Sequence, residues 1–154
     1  MEYKSLSEEK YFSDASKLVL GLGYVLVELR VFPMKEQVQV KAVITNSVKN
    51  KEGIGINDCA KVHRVLLPRM EALLSNDNIY MEVTSPGMER TIKNAAEFEF
   101  FVGQMVRLWD IKKTDWVSGK ILSSDSTQIT LVMSDGENKS YPYEQIAKAK
   151  LLHI

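Results

Sequence analysis

The chain has 154 residues, with 20 Lys and Arg against 20 Asp and Glu, two His and a single Cys, so its formal net charge at pH 7 is zero. The length allows one domain or two small ones, and 45% apolar with 26% charged residues is the balance of a folded chain, not of a disordered one. Divided at Arg90, the two parts are each balanced, 12 basic against 12 acidic before and 8 against 8 after, which excludes a basic nucleic-acid arm and an acidic tail.

Ser7-Glu8-Glu9 opens a helical pattern in which Tyr11, Ala15, Leu18, Val19 and Leu22 recur at three- and four-residue steps, and Gly21 and Gly23 stop it. Two alternating runs follow. Val25, Val27, Leu29 and Val31 share one face of a strand, and Val38, Val40, Ala42 and Ile44 one face of the next, with Pro33 to Glu36 as the turn. Gln37, Gln39 and Lys41 point to a wet side. Asn46 to Gly55, holding Lys49 and Lys51, reads as a mobile loop. In the helix after it, Cys59, Val62, Leu66, Met70 and Leu73 form the apolar stripe. Pro68 falls on the opposite face, where a bend and not a break is expected. Ile79, Met81 and Val83 define a third strand, so residues 1–84 form a two-layer α/β domain of order helix, strand, strand, helix, strand.

Ser85-Pro86-Gly87 closes that domain, because Pro86 presets the second position of a tight turn and Gly87 takes the positive φ that a type II turn demands next. Residues 85–92 are read as the linker and 93–154 as a second domain. There a short helix carrying Phe98 and Phe101 precedes five short strands: Gln104 to Ile111, Trp116 to Leu122, Thr127 to Met133, Glu137 to Tyr141 and Ala147 to Leu152. Turn residues such as Asp135-Gly136 separate them, and the spacing predicts a small SH3-like or Sm-like β-barrel. The fold class is α+β.

The chemistry-bearing residues are sparse. The longest apolar run, Leu18 to Val27, is ten residues, against roughly 20 needed to span a bilayer. The start Met1-Glu2-Tyr3-Lys4 lacks the pattern of a signal peptide, and a lone Cys59 suits a reducing compartment, so a cytoplasmic location is expected. Cys59 and His63 stand one helical turn apart, but Cys59 lies on the apolar stripe as core packing and the only other His is His153 at the C-terminus, and Glu82 and Glu89 read as solvated or partner-facing, not as an acid/base pair. No P-loop, G-x-G-x-x-G, KH loop or RNP1 strand occurs. No cofactor, metal or catalytic residue is expected. What remains is a scatter of cations in loops and strand ends: Lys49 and Lys51, Arg90 and Lys93, Arg107, Lys112 and Lys113, and Lys148 and Lys150. Singly they are ordinary surface, and folded together they make a local basic strip at zero total charge.

The string Tyr80-Met81-Glu82-Val83-Thr84-Ser85-Pro86-Gly87-Met88-Glu89-Arg90 resembles the Y-x-L-E-V-S-S-P-G-L-D-R segment of the bacterial ribosome maturation factor RimP family. Gly23-Tyr24, Gly53-Ile54, Asp58-Cys59-Ala60-Lys61-Val62, and Phe101 with Gly103 are similar to that family at fitting distances, so the resemblance covers nearly the whole chain. Thr84 stands for Ser, Glu89 for Asp, Thr91 for a Pro and Gly55 for a Thr at the helix N-cap.

The resemblance implies a non-enzymatic assembly factor, an N-terminal α/β domain followed by an Sm-like barrel. Its partners would be the free 30S ribosomal subunit, ribosomal protein S-twelve and small-subunit rRNA, with no membrane contact and a monomeric state. The partner-binding residues expected from it are Glu82, Ser85, Pro86, Gly87, Glu89, Arg90, Lys93 and Arg107. The two domains are expected to form a clamp set by the Ser85-Pro86-Gly87 turn. In that arrangement the carboxylates face the basic ribosomal protein, while Arg90, Lys93 and Arg107 reach phosphate. The alternative at that segment is that Glu82 and Arg90 pair with each other. A second function class is a general RNA-binding Sm-like module not dedicated to ribosome assembly, and a third is a hydrolase using Cys59, His63 or the acidic residues.

Overall fold

The apolar periodicities resolve into helices α1 (Phe12–Gly21) and α2 (Ile56–Leu74) and strands β1 (Tyr24–Pro33), β2 (Val38–Asn46) and β3 (Ile79–Thr84). The computed structural model describes residues 1–46, 53–87 and 89–152. For the expected loop from Asn46 to Gly55, residues 47–52, with Lys49 and Lys51, lie outside the described residues. The chain divides into one unit of Leu6–Pro86 and another of Met1–Ser5 with Gly87–Ile154.

In the first unit the sheet order is β1-β2-β3, with β1 and β2 antiparallel and β2 and β3 parallel. One core unites Ala15 and Val19 of α1, Val62, Leu66 and Met70 of α2, and Val40, Ala42, Ile44 and Met81 of the sheet. Helix α2 runs through Pro68, which sits on its exposed side, where the carbonyl released by the missing N–H meets water. The opening pattern is split. Leu6–Glu8 forms a 3-10 turn, and Tyr11 at φ 68° precedes α1, so one expected helix becomes two pieces.

Strand β1 departs from simple alternation. Its pairing with β2 shifts between Leu26 and Glu28, leaving Val27 as the extra residue of a β-bulge. Tyr24 and Leu26 therefore join the core before the bulge, and Leu29 and Val31 after it. The expected face of Val25, Val27, Leu29 and Val31 is corrected to this set, because one inserted residue exchanges the two faces of a strand.

The second unit is built on strands β4 (Thr91–Ile92), β5 (Met105–Asp110), β6 (Asp115–Ser124), β7 (Gln128–Val132), β8 (Asn138–Pro142) and β9 (Ile146–Leu152), with a 3-10 segment over Ala95–Phe101. They form one antiparallel sheet of order β4-β9-β5-β6-β7-β8. No pairing of β4 with β8 closes it among the described residues. Val106, Leu108, Ile121, Ile129, Leu131, Ala149 and Leu151 point inward with Phe98 and Phe101 of the 3-10 segment. The first residues belong to this unit. The Met1 nitrogen donates to the Tyr143 and Ile146 carbonyls at 3.0 and 2.7 Å. The Asn94 side chain accepts from the Lys4 N–H at 3.0 Å and donates to the Lys4 carbonyl at 2.8 Å. Among the described residues no helix is long and apolar enough to cross a membrane.

Candidate functional site

The segment that carries the family string begins on β3, an edge strand. Glu82 is exposed, points away from the core shared by Met81 and Val83, and is the register partner of Lys41 on β2. Ser85 is exposed, Pro86 is half-buried, and Gly87 has φ 81°, the positive angle expected of it and one that a side chain would strain. The chain passes from one unit to the other at Pro86 and Gly87.

Arg90 has a different environment from the one expected. Its side chain is only 11% exposed and its Nε and one terminal nitrogen meet Glu97 Oε1 at 2.8 and 2.7 Å, with the Glu97 side chain 6% exposed. Removing one partner of such a buried pair leaves an uncompensated charge, typically at a cost of about 3–5 kcal/mol. The Arg90 carbonyl also accepts from the Leu151 N–H at 2.8 Å. Arg90 therefore anchors the 3-10 segment to the sheet within its own unit, with Glu97 as an ion-pair partner. Glu89 and Lys93 are exposed.

Two other stretches of the resemblance meet at the N-terminus of α2. The Tyr24 hydroxyl at the start of β1 donates to Asp58 Oδ1 at 2.5 Å, the Gly55 N–H donates to Asp58 Oδ2 at 2.8 Å, and the Lys61 ammonium lies 5.9 Å from the Tyr24 ring centre. These donors, the Tyr24 hydroxyl first and then the Gly55 N–H, hold the Asp58 carboxyl below the ordinary carboxylate value. Gly55 itself is the N-cap. On the same helix, burial and then the Asp58 charge push the Cys59 thiol up, the reverse of what an activated nucleophile requires. His63 Nε2 stands 3.0 Å from the Met81 carbonyl oxygen. Among the described residues no group of three His, Cys, Asp or Glu is placed to hold a metal ion.

Arg107 leads to a cluster that sequence reasoning did not assemble. On β5 it alternates with the inward Val106 and Leu108, and it is the register partner of Ser118 on β6 and of Lys150 on β9. Its guanidinium lies 4.5 Å from the Trp116 ring centre, and its Nε, shielded from solvent, has no hydrogen-bond partner among the described residues. Trp109 and Trp116 face each other across β5 and β6, edge to face, with ring centres 5.4 Å apart. The Lys148 ammonium lies 5.5 Å from one ring and 5.4 Å from the other. Lys120, the partner of Met105, continues the same face. The structure thus brings together Arg107, Lys148 and Lys150 from the scattered cations, leaves Lys112 and Lys113 in the β5–β6 turn, and withdraws Arg90. The signal for the tryptophans was available in the spacing Arg107-x-Trp109, which puts both on one strand face.

The fold is thus that of a two-unit α+β chain, an α/β unit followed by an antiparallel β unit. Residues 15–89, from α1 through the Ser85-Pro86-Gly87 turn, match the RimP N-terminal domain. That part of the chain belongs to the RimP family of ribosome maturation factors.

Proposed function

We propose that this protein acts in assembly of the small ribosomal subunit, binding the free, immature 30S particle through ribosomal protein S-twelve and small-subunit rRNA and leaving before the subunit enters translation. The observation that carries this reading is the family match over residues 15–89, which takes in the string from Tyr80 as far as Glu89. The protein works as a cytoplasmic monomer and catalyses no reaction. The exposed carboxylates Glu82 and Glu89 meet the basic ribosomal protein, Ser85, Pro86 and Gly87 shape that surface, Lys93 and Arg107 meet phosphate, and Arg90 supports them by holding Glu97.

The second unit works as a small Sm-like barrel. Three features support that curvature. The pairing shifts between Leu108 and Asp110 and between Ile121 and Ser123, and bulges bend strands. Gly119 lies within β6 where a Cβ would stand 2.9 Å from Leu131 Cβ, the close approach typical of a barrel corner. The inward side chains of the six strands are buried with two short 3-10 segments, Ala95–Phe101 and Tyr143–Gln145, as helical cover, which favours a sheet that curls over itself.

The cation and tryptophan face of the second unit favours the other reading, a general RNA-binding module. Salt dependence separates the two, since each phosphate neutralised adds roughly 0.7–0.9 to the slope of log affinity against log salt. Binding to naked small-subunit rRNA and to assembled immature subunits is measured at two salt concentrations. The assembly-factor reading expects weak binding to naked rRNA and tighter, less salt-sensitive binding to the subunit. Tight, steeply salt-dependent binding to naked rRNA contradicts it.

A further inference from the structure

We infer that the outer face of β5, β6 and β9 is a stacking platform for unpaired RNA bases, with Trp109 and Trp116 as the aromatic floor and Arg107, Lys120, Lys148 and Lys150 as the phosphate contacts. The inference deepens the ribosomal reading by giving the RNA contact a place and a chemistry.

The face is laid out by register. Lys150, Arg107 and Ser118 form one row across β9, β5 and β6, and Leu152, Met105 and Lys120 form the next. Trp109 and Trp116 are paired in a third row, with Lys148 over both rings. Among the residues that alternate outward here, four are cations and none is acidic, although the chain as a whole is neutral. None of the four has an ion pair among the described residues.

Charge selects a polyanion, and the rings select which one. An acidic peptide would satisfy the cations and leave two large indoles idle. Duplex RNA presents phosphate but keeps its base faces stacked away. A single strand offers both, and stacking on indole is tolerant of base identity because every base has a π-face. The contacts now made by Arg107 and Lys148 are suited to exchange, since a cation–π contact at a partly exposed site is weak. A base takes the ring, and the displaced cation swings on its stem to the adjoining phosphate.

Both tryptophans of the chain lie on this face, so intrinsic fluorescence reports it alone. The test titrates the full chain with a short unstructured pyrimidine RNA, with the corresponding duplex and with polyglutamate, following tryptophan emission. Melting curves for Trp109→Leu, Trp116→Leu and Lys148→Ala check folding. The single strand is expected to quench emission and bind more tightly than either competitor. Trp116→Leu is expected to weaken binding roughly fivefold to a hundredfold. Lys148→Ala, which removes an exposed cation and its weak contacts with the two rings but leaves both indoles in place, lowers the salt slope by about 0.7 and keeps the test open if a tryptophan variant fails to fold. The inference is overturned if polyglutamate or the duplex binds as well as the single strand, if emission does not change, or if folded variants bind as the parent does. Loss of the oligonucleotide with subunit binding intact contradicts this inference alone. Loss of subunit binding with the oligonucleotide retained contradicts the ribosomal reading alone.

Discussion

Two tyrosines two positions apart show how far a residue's role depends on its hydroxyl's surroundings. Tyr143 is buried between Tyr3 and Phe98, and its hydroxyl donates to the carbonyls of Asp125 at 2.6 Å and Gln128 at 3.0 Å. Tyr141 is equally buried, but its hydroxyl has no hydrogen-bond partner among the described residues. Tyr143→Phe deletes the one proton that these two carbonyls share and is expected to cost about 1–3 kcal/mol, whereas Tyr141→Phe removes an uncompensated polar atom and is expected to be neutral or stabilising. Burial first, and then the Asp125 charge, raise the Tyr143 phenol from 10.0 to about 12. The folded state thus holds that proton more tightly than the unfolded state does. Its contribution is complete below pH 10 and is lost as pH rises from 10 through about 12, and Tyr143→Phe is expected to flatten that alkaline loss. Melting temperatures of both variants at neutral and alkaline pH check this, and equal destabilisation by the two would contradict it. At this scale the sequence misleads most readily. Arg90 reads as an exposed cation, because nothing in its spacing shows that Glu97, one of two acidic residues in the run Ala95–Phe101, is folded under it.

At the scale of elements, alternation located most strands of both units, and helical spacing located the core stripe of α2 through Pro68. It failed where one residue changes the phase. The bulge at Val27 exchanges the faces of β1, and the left-handed Tyr11 divides the first helix, and both are decided by tertiary packing that no local pattern encodes. The two-residue strand β4 is too short for any periodicity. Gly119 is legible only afterwards. A Cβ there would lie 2.9 Å from Leu131 Cβ and 3.1 Å from the Val132 carbonyl oxygen, so the close approach of β6 to β7 depends on its absence. Gly119→Ala is expected to destabilise by about 1–3 kcal/mol, the usual range for overpacking. Gly21→Ala, with nothing within 4 Å of the added carbon at the end of α1, is expected to be neutral or slightly stabilising. Denaturant unfolding of the two variants compares them directly, and tolerance of alanine at 119 would show that β6 and β7 do not pack as described.

For the whole molecule, the zero net charge takes on a more definite meaning. The two units each hold ten basic and ten acidic residues, so neutrality is a property of each part. Within the second unit, however, the outer sheet face concentrates cations around both tryptophans, a distribution that total charge hides. Under the proposed function, such a distribution keeps long-range attraction to a polyanion weak and leaves recognition to the local face, which suits a factor that visits a particle and leaves. The α+β class, the order of the two units and the family were legible from periodicity and from one string of residues. The assembly of the cationic face was not, because it depends on the pairing of β5 with β9, whose residues lie about forty positions apart in sequence. The most direct measurement of the central claim is co-sedimentation of the full chain with free immature 30S particles, mature 30S subunits and 70S ribosomes. The account predicts binding to the first, weaker binding to the second and none to the third. Equal binding to all three, or none to the immature particle, would contradict it.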